Sequence, residues 1–508
     1  MKKKHRLAAI FSCCLLLGTS GLSAAVSAED AAPETYGYGD VNLDKTVDVS
    51  DAVLLARFAA EDTEANISAE GKKLADVNQD GGITSDDTIL ILQYIAKLIP
   101  ALGPSGEVTN DYKTVNLMEG IEAGQAESKP VDAAFTDSQY AFAVNLLKQT
   151  SQENTEQKNL LISPLSVSMA LSMTANGAKE QTLSEMEKVL GGDLKIADLN
   201  AYYADLLNTL PNNRFAALYP ANSIWIRNDE NAIGEVPQEF LQTNADYYGA
   251  DAFKTAFNQQ MVEDVNSWVN ENTHKMIPKL LDQTPNDNTF MYLINALAFE
   301  ADWANPYDEY HIREYDFTPY QADPIKTEML FSAENSYLED EYATGFIKDY
   351  KGGDYSFAAI LPNESESVTV SDYIGMMTPE SLQKLLNTKQ RCKVQTMTPK
   401  FKFDYNTELK NALTELGMPT AFDDKLSNFT GLYTADGYIS GVKHKTFIQV
   451  DEKGTKAGAV TAVEMAQKQS VEEKPKYVYL NRPFIFMILD NQHNIPVFIG
   501  YVMNPAGT

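Results

Sequence analysis

Apolar residues recur at helical spacing in "TDSQYAFAVNLLKQT" (136–150), which predicts an amphipathic helix. "SPLSVSMALSMTANGAKEQTLSEMEKVLG" (163–191) predicts a helix capped near Ser163, a turn at Asn176-Gly177 and a second helix. "NTFMYLINALAFEADW" (288–303) is a largely apolar run that predicts a strand. "PFIFMILDNQHNIPVFIGYVMNP" (483–505) predicts a hairpin of two buried strands around Asn491. Nearer the start, "SDAVLLARFAA" (50–60) and "SDDTILILQYIAKL" (85–98) predict two shorter amphipathic helices, with Ser50 and Ser85 as caps.

One stretch fits neither class. "DEKGTKAGAVTAVEMAQKQS" (451–470) has no Pro and no Asn-Gly or Asp-Gly turn signal, yet it is poor material for a core. At period two, Thr455, Ala457, Ala459, Thr461 and Val463 line one face. All are small or β-branched and none is charged, which predicts a strand with little grip on its own position.

A length of 508 residues suggests about two to four domains. A formal charge of −30 argues against nucleic acid and anionic membranes as partners. Residues 1–28 combine a basic start, an apolar run and Val26-Ser27-Ala28, which predicts a secretory signal peptide and an extracellular protein. Gly18 to Ser23 interrupt the run, which disfavours a membrane anchor, and Phe11 fits poorly before Cys13 for a lipoprotein. Cleavage after Ala28 leaves Cys392 alone, so no internal disulfide is expected. No later stretch reaches the length of a membrane span.

Two segments repeat, "DVNLDKTVDVSD" (40–51) and "DVNQDGGITSDD" (76–87). The first places Asp40, Asn42, Asp44, Asp48 and Asp51 at loop positions one, three, five, nine and twelve, and Thr46 offers its carbonyl at seven. The second does the same with Asp76, Asn78, Asp80, Thr84 and Asp87, and with the Gly82 carbonyl. A hard cation needs six to eight oxygens, and a twelve-residue loop wraps them around it, so two Ca²⁺ ions are expected. Gly81 fills position six, where the loop turns sharply, but Lys45 stands there in the first loop. A pair of acidic turns is the plain alternative, and the duplicated spacing weighs against it. Residues 36–100 resemble a dockerin of type I, a small all-α module with two EF-hand-like calcium loops. The resemblance implies docking to a cohesin domain on a scaffold or cell surface. It also assigns partner choice to Val49, Ser50, Ser85 and Asp86, and the two pairs differ, which argues against two equivalent docking orientations. Residues 101–111 are polar with Gly and Pro and read as a linker.

Residues 112–508 alternate helical and strand patterns without repeats, which predicts one mixed α and β domain. His-Glu-x-x-His, Gly-x-Ser-x-Gly and phosphate-loop motifs are all absent from the sequence. A carboxylate pair for glycoside hydrolysis stays open, although three tryptophans are few for stacking sugars. Six blocks in order then resemble the serpin family. They are "LISPLSVSMALSMTANGAKEQT", "SWVNENTHKMIPKLL", "LINALAFEADWANPYD", "PKFKFDYNTELKNALTELGMPTAF", "VDEKGTKAGAVTAVEM" and "NRPFIFMILD". The resemblance implies an α+β serpin fold of large mixed sheets with an exposed reactive loop. It places Ser163, Ser166, Asn295 and His444 in a polar cluster beneath the main sheet and Trp303 at its top. The plain reading of these residues, satisfied core polar groups and a packed aromatic, is compatible with that placement. It makes Glu452, Gly454, Thr455, Ala457, Gly458, Ala459 and Val460 the loop's hinge.

Counting from Glu452 puts the reactive bond at Lys468–Gln469, while Gln469–Ser470 and Met465–Ala466 stay open. The implied function is suicide inhibition of a trypsin-like or subtilisin-like serine protease, tethered to a cellulosome-like complex that degrades polysaccharide. A non-inhibitory serpin-fold binding protein and a dockerin-borne polysaccharide hydrolase are the alternatives.

Overall fold

The structure, a computed structural model, describes residues 37–507 except 61, 63–64, 79–81, 97–101, 103–113, 212, 214, 229–233, 287–288, 365–366, 436 and 456–473. The chain divides into two compact units at Asp111 and Tyr112. The signal-peptide reading lies outside the described residues, as do Asp80, Ala457, Gly458, Ala459, Val460, Lys468 and Gln469. Among the described residues no helix is long and apolar enough to cross a membrane.

The first unit holds α1 (Val49–Ala59), α2 (Ala69–Ala75) and α3 (Ser85–Ile95). Ser50 is not the cap of α1. Asp48 takes that place, accepting from the Ser50 N–H, while Asp51 reaches back to the Asp48 N–H. Ser85 is likewise the first residue of its helix rather than the residue before it. In α1 the carboxylates win because loop positions nine and twelve, Asp48 and Asp51, already point at the backbone that opens the helix. Seven residues are too few for periodicity to reveal α2, but Ser68 caps it by accepting from the Gly71 N–H at 2.9 Å. Val41, Leu55, Val77 and Ile91 meet in a small core, with Val41 and Val77 from equivalent positions of the two loops.

In the second unit β1 (Val115–Asn116), α4 (Ala133–Glu153), β2 (Leu160–Ile162), α5 (Pro164–Ala175), α6 (Glu180–Gly191), α7 (Ile196–Thr209) and β3 (Ala216–Arg227) come first. Next are α8 (Gln238–Tyr248), β4 (Asp251–Thr255), α9 (Gln259–Asn272), β5 (Met291–Asp302), β6 (Ile312–Phe317), β7 (Ile325–Glu339), β8 (Ala343–Asp349) and β9 (Tyr355–Pro362). The last are α10 (Val370–Met376), α11 (Pro379–Asn387), β10 (Gln390–Pro399), β11 (Phe401–Glu408), α12 (Lys410–Leu416), β12 (Gly441–Val450), β13 (Gly454–Thr455), β14 (Lys476–Tyr479), β15 (Phe484–Asp490) and β16 (Ile495–Val502).

Seven strands form the main sheet in the order β1-β4-β3-β5-β13-β12-β11. A second sheet runs β14-β10-β7-β8-β9-β15-β16-β2, with β6 paired to β7. Helix α5 explains how the sheets share one core. Ser163 caps it, Pro164 opens it, and all twelve of its residues are buried. Its shape is therefore set by packing on every side. The Asn176-Gly177 turn follows because a Cβ on Gly177 would lie 2.2 Å from that of Leu432. The hairpin β15–β16 is buried at every position, as its unbroken apolar runs predict.

Candidate functional site

The seam between β5 and β12 is the feature on which the site is built. These parallel strands pair directly over six positions, from Gly441 opposite Tyr292 to Thr446 opposite Leu297. Four positions further along β5 the pairing partner is different. After Val450 the chain reverses through Asp451–Lys453, and Gly454 and Thr455 enter between the two strands. Gly454 lies opposite Asp302, and Thr455 lies opposite Ala301 on one side and Val450 on the other. Asp451 shapes the reversal by accepting from the Lys453 N–H at 2.9 Å. Glycine is required at 454, because a Cβ there would sit 2.0 Å from the Ala301 carbonyl oxygen.

Thr455 is 2% exposed, and its hydroxyl shares a 2.5 Å hydrogen bond with the Tyr350 hydroxyl. Tyr350 stacks on Trp303, with centroids 4.4 Å apart and planes 6° from parallel. Trp303 in turn holds the reversal, donating its ring N–H to the Asp451 carbonyl and its backbone N–H to Lys453. The Glu452 carboxylate meets the Lys400 ammonium at 2.9 Å. Partial burial opposes its ionisation, but Lys400 outweighs this and holds the Glu452 carboxyl below its ordinary range. Beneath Trp303 lies a pair that motif reasoning missed: Lys348 and Glu334, almost fully buried and 2.9 Å apart. The Lys348 ammonium also faces the ring of Tyr307 at 4.5 Å. Burial alone would make Lys348 easier to deprotonate, yet Tyr307 and Glu334 raise it.

Lower on the same seam Ser163, Ser166, Asn295 and His444 come together. Asn222, Asn295 and His444 stand side by side across β3, β5 and β12. Asn295 donates to Asn222 Oδ1 at 2.5 Å and to Ser166 Oγ at 2.6 Å. The Ser163 N–H donates to His444 Nε2 at 3.1 Å, so that nitrogen carries no proton. The proton sits on Nδ1, which makes a short hydrogen bond to Asn295 Oδ1. Burial pushes the imidazole down to about 3, so His444 is neutral. Asn222 was the member without a sequence signal, since it becomes a neighbour only through the β3–β5 register.

In the first loop, oxygens of Asp40, Asp44 and Asp51 lie within 4.8 Å of one another. Asp40 and Asp51 are buried. Asp51 accepts from the Asn42 and Asp48 N–H groups, each at 3.0 Å, and Asp40 from those of Asp44 and Lys45. Lys45 meets the turn requirement at position six by adopting φ +75°, a conformation that costs a non-glycine residue roughly 1 kcal/mol. In the second loop buried Asp87 accepts from the Val77 and Thr84 N–H groups at 2.9 Å and from that of Asn78 at 3.3 Å, and Asn78 and Thr84 stand where Asn42 and Asp48 donate to Asp51 in the first. Asp76, Asn78, Gly82 and Thr84 belong to this loop, and Thr46 to the first. Converging carboxylates without softer donors fit Ca²⁺ and suit neither zinc nor copper. Val49 and Val53 on α1, and Ile89 and Leu92 on α3, are exposed; Ser50 and Ser85 are exposed as well, and Asp86 follows in α3.

Comparison with known families matches residues 137–505 to the serpin (serine protease inhibitor) family and residues 38–96 to the dockerin type I domain. A serpin-like protein of Methanosarcina acetivorans is 28% identical over 385 residues, 72% of this chain and 86% of its own. Among solved structures, a thermophilic serpin, Tengpin, in the native state gives a TM-score of 0.72 at 42% identity, covering 77% of this chain and 99% of that one. Its latent state gives 0.64 at 43% identity, covering 74% and 99%.

Proposed function

The chain belongs to the serpin family and carries a type I dockerin domain at its N-terminal end, and from that premise we propose an exported suicide inhibitor of serine proteases, held on a cohesin-bearing scaffold by calcium-dependent docking. One observation carries the inhibitory half. In the intact chain the strand Gly454–Thr455 already stands between β5 and β12. The greater likeness to the native than to the latent state of Tengpin supports reading this as the state before attack.

The protease serine attacks a carbonyl in the loop after Thr455, at Lys468–Gln469 by the count above. The C–N bond breaks, the amine leaves with a proton, and the acyl group stays on the serine as an ester. The released arm then extends β13 down the seam, carrying the ester-linked protease with it. Loop insertion in serpins is an established instance of strand addition. About a dozen new backbone bonds at ~1 kcal/mol each would give roughly 10 kcal/mol, which rivals the stability of a whole domain. Thr455, Ala457, Gly458, Ala459 and Val460 suit that path because none needs more room than a closing sheet offers.

The dockerin half rests on the paired loops and on the exposed apolar side chains beside Val49, Ser50, Ser85 and Asp86. Two Ca²⁺ ions fix the loops, and the helices present the surface to a cohesin. The protein then guards an extracellular polysaccharide-degrading complex against proteolysis. Incubation with trypsin-like and subtilisin-like proteases should give complexes that survive SDS. Cleavage by every protease tested without such a complex would leave a non-inhibitory binding protein instead. Hydrolysis of glycans by the purified chain would favour the hydrolase.

A further inference from the structure

Seven large apolar side chains are strongly exposed among the described residues of the large module, and four of them are tyrosines on one part of the second sheet. Tyr310 is 84% exposed in the short turn before β6, and Tyr315 is 49% exposed on β6 itself. Tyr477 and Tyr479, at 60% and 39%, stand on the edge strand β14. The rings of Tyr477 and Tyr479 meet edge to face at 5.9 Å. Just beyond the two strands the Thr318 N–H donates to the Asn481 carbonyl at 2.9 Å, which brings the end of β6, with Tyr315, beside the end of β14, with Tyr477 and Tyr479. None of the four hydroxyls has a hydrogen-bond partner among the described residues, so the patch presents both ring faces and free donors. Two ion pairs flank it, Lys326 with Asp316 at 2.8 Å and Lys476 with Glu339 at 3.6 Å.

We propose that this tyrosine patch is a second docking surface for the target protease, outside the reactive loop. The idea rests on the inhibitory reading above and adds where the protease body sits. Strand β14 begins at Lys476, only seven residues beyond Gln469. A fully extended chain covers at most about 3.6 Å per residue, so the bait bond lies within about 30 Å of Tyr477. A protease domain of about 200–250 residues has a radius of gyration near 17 Å and so spans about 45 Å. A body of that size with its cleft on the bait has this patch within its footprint. Tyrosine suits the task, because it brings a large rigid surface and a polar tip at low entropic cost, and it is enriched where interface energy concentrates. The occupant is the rim of the protease beside its substrate cleft, apolar and carrying hydrogen-bond acceptors for the phenols.

The test compares the full-length parent with Tyr477→Ala/Tyr479→Ala and with Tyr315→Ala, using the protease that attacks the parent fastest. The readout is the second-order rate constant for loss of intact loop, whether complex or cleavage follows, together with the stoichiometry of inhibition. The double variant should lose about tenfold or more in that rate constant, as truncated interface tyrosines do, with stoichiometry unchanged. The rate at which the same protease cuts a synthetic 456–473 peptide gives the reference without docking, and the parent should exceed it while the double variant falls towards it. Equal rate constants for parent and all variants overturn the proposal even where SDS-resistant complexes form. Failure of the inhibitory reading has a different signature, rapid cleavage of the parent without complex. A dimer in sedimentation that the double variant abolishes would assign the patch to a second copy and overturn the proposal too. Should the alanine variants fold poorly, Tyr310→Lys and Tyr477→Lys at the two most exposed positions carry the same expectation.

Discussion

Substituting Thr455 by arginine tests the seam directly. The side chain is 2% exposed in the uncleaved chain, so the perturbation acts before any protease arrives. Burying an unpaired guanidinium there costs several kcal/mol even after relaxation. Against it, β13 has a few backbone pairings and one hydroxyl bond to Tyr350, together about 2–4 kcal/mol. The cost exceeds the gain, so Thr455→Arg should expel the hinge from the sheet in the resting state. Insertion after cleavage must then force the same charge into the seam. A barrier raised by about 3 kcal/mol slows it roughly a hundredfold. Hydrolysis of the acyl-enzyme then overtakes insertion and the protease escapes. The variant should be cleaved as fast as the parent, give little SDS-resistant complex and lose the gain in melting temperature that follows cleavage. Trp303 emission should shift as well, because its stacking partner Tyr350 loses contact with Thr455. Thr455→Val is the control. It keeps the volume and costs only the Tyr350 hydrogen bond, so it should still inhibit. An arginine variant with the stoichiometry of the parent would show that strand insertion through this seam is not the mechanism.

Four further outcomes are expected. His444 is held near 3 in the fold against about 6.5 unfolded, so the unfolded chain binds the extra proton between those values and stability falls as pH drops through that window, by about 1.4 kcal/mol per unit. Urea unfolding at pH 7, 5.5 and 4.5 should therefore show a steeper loss for the parent than for His444→Gln, and equal slopes would remove His444 as the cause. Lys348→Met strands the Glu334 carboxylate and should cost about 3–5 kcal/mol, whereas Lys348→Met with Glu334→Gln should recover most of it; a double variant as unstable as the single one contradicts the pairing. Chelation of calcium should lower the helicity of the full chain and abolish cohesin binding, with Asp51→Ala or Asp76→Ala giving the same result, and metal-independent binding would reject both loops as calcium sites. Mass spectrometry of the product released by a trypsin-like protease should begin at Gln469, and Lys468→Ala should slow trypsin-like more than subtilisin-like attack; a start at Ser470 would move the reactive bond by one.

What could be read from the sequence divides along a physical line. Local patterns were legible: the α5 cap at Ser163, the Gly177 turn and the buried hairpin each depend on residues close together in the chain. The convergence of Asp40, Asp44 and Asp51 was legible for the same reason, since a twelve-residue loop carries its own geometry. Pairing between distant strands was not. Asn222 joins Asn295 and His444 because β3 and β12 flank β5 in one register, and no short window contains that fact. Lys348 and Glu334 are fourteen residues apart on neighbouring strands, and each alone resembles an ordinary surface charge. The hinge was identified by resemblance, but its composition did not reveal that two of its residues already belong to the sheet.

That last difference changes how the seam would work in the proposed insertion. If the whole loop began outside, the first step would be to part β5 and β12 from a closed state. Here the parting has already been made at the top, and Gly454 permits it by offering no side chain to the Ala301 carbonyl. What remains closed is the stretch from Leu297 opposite Thr446 down to Tyr292 opposite Gly441. Side chains link it too, through the bond between His444 Nδ1 and Asn295 Oδ1, with Ser163 and Ser166 holding both ends. In the insertion proposed above, opening would break one row of backbone pairs and insertion would replace it with two. On that proposal the transition would be downhill once the polar row yields, and slow until it does. A hinge already seated at the top of the seam, facing a hydrogen-bonded polar row below it, is the arrangement such a delayed conversion requires.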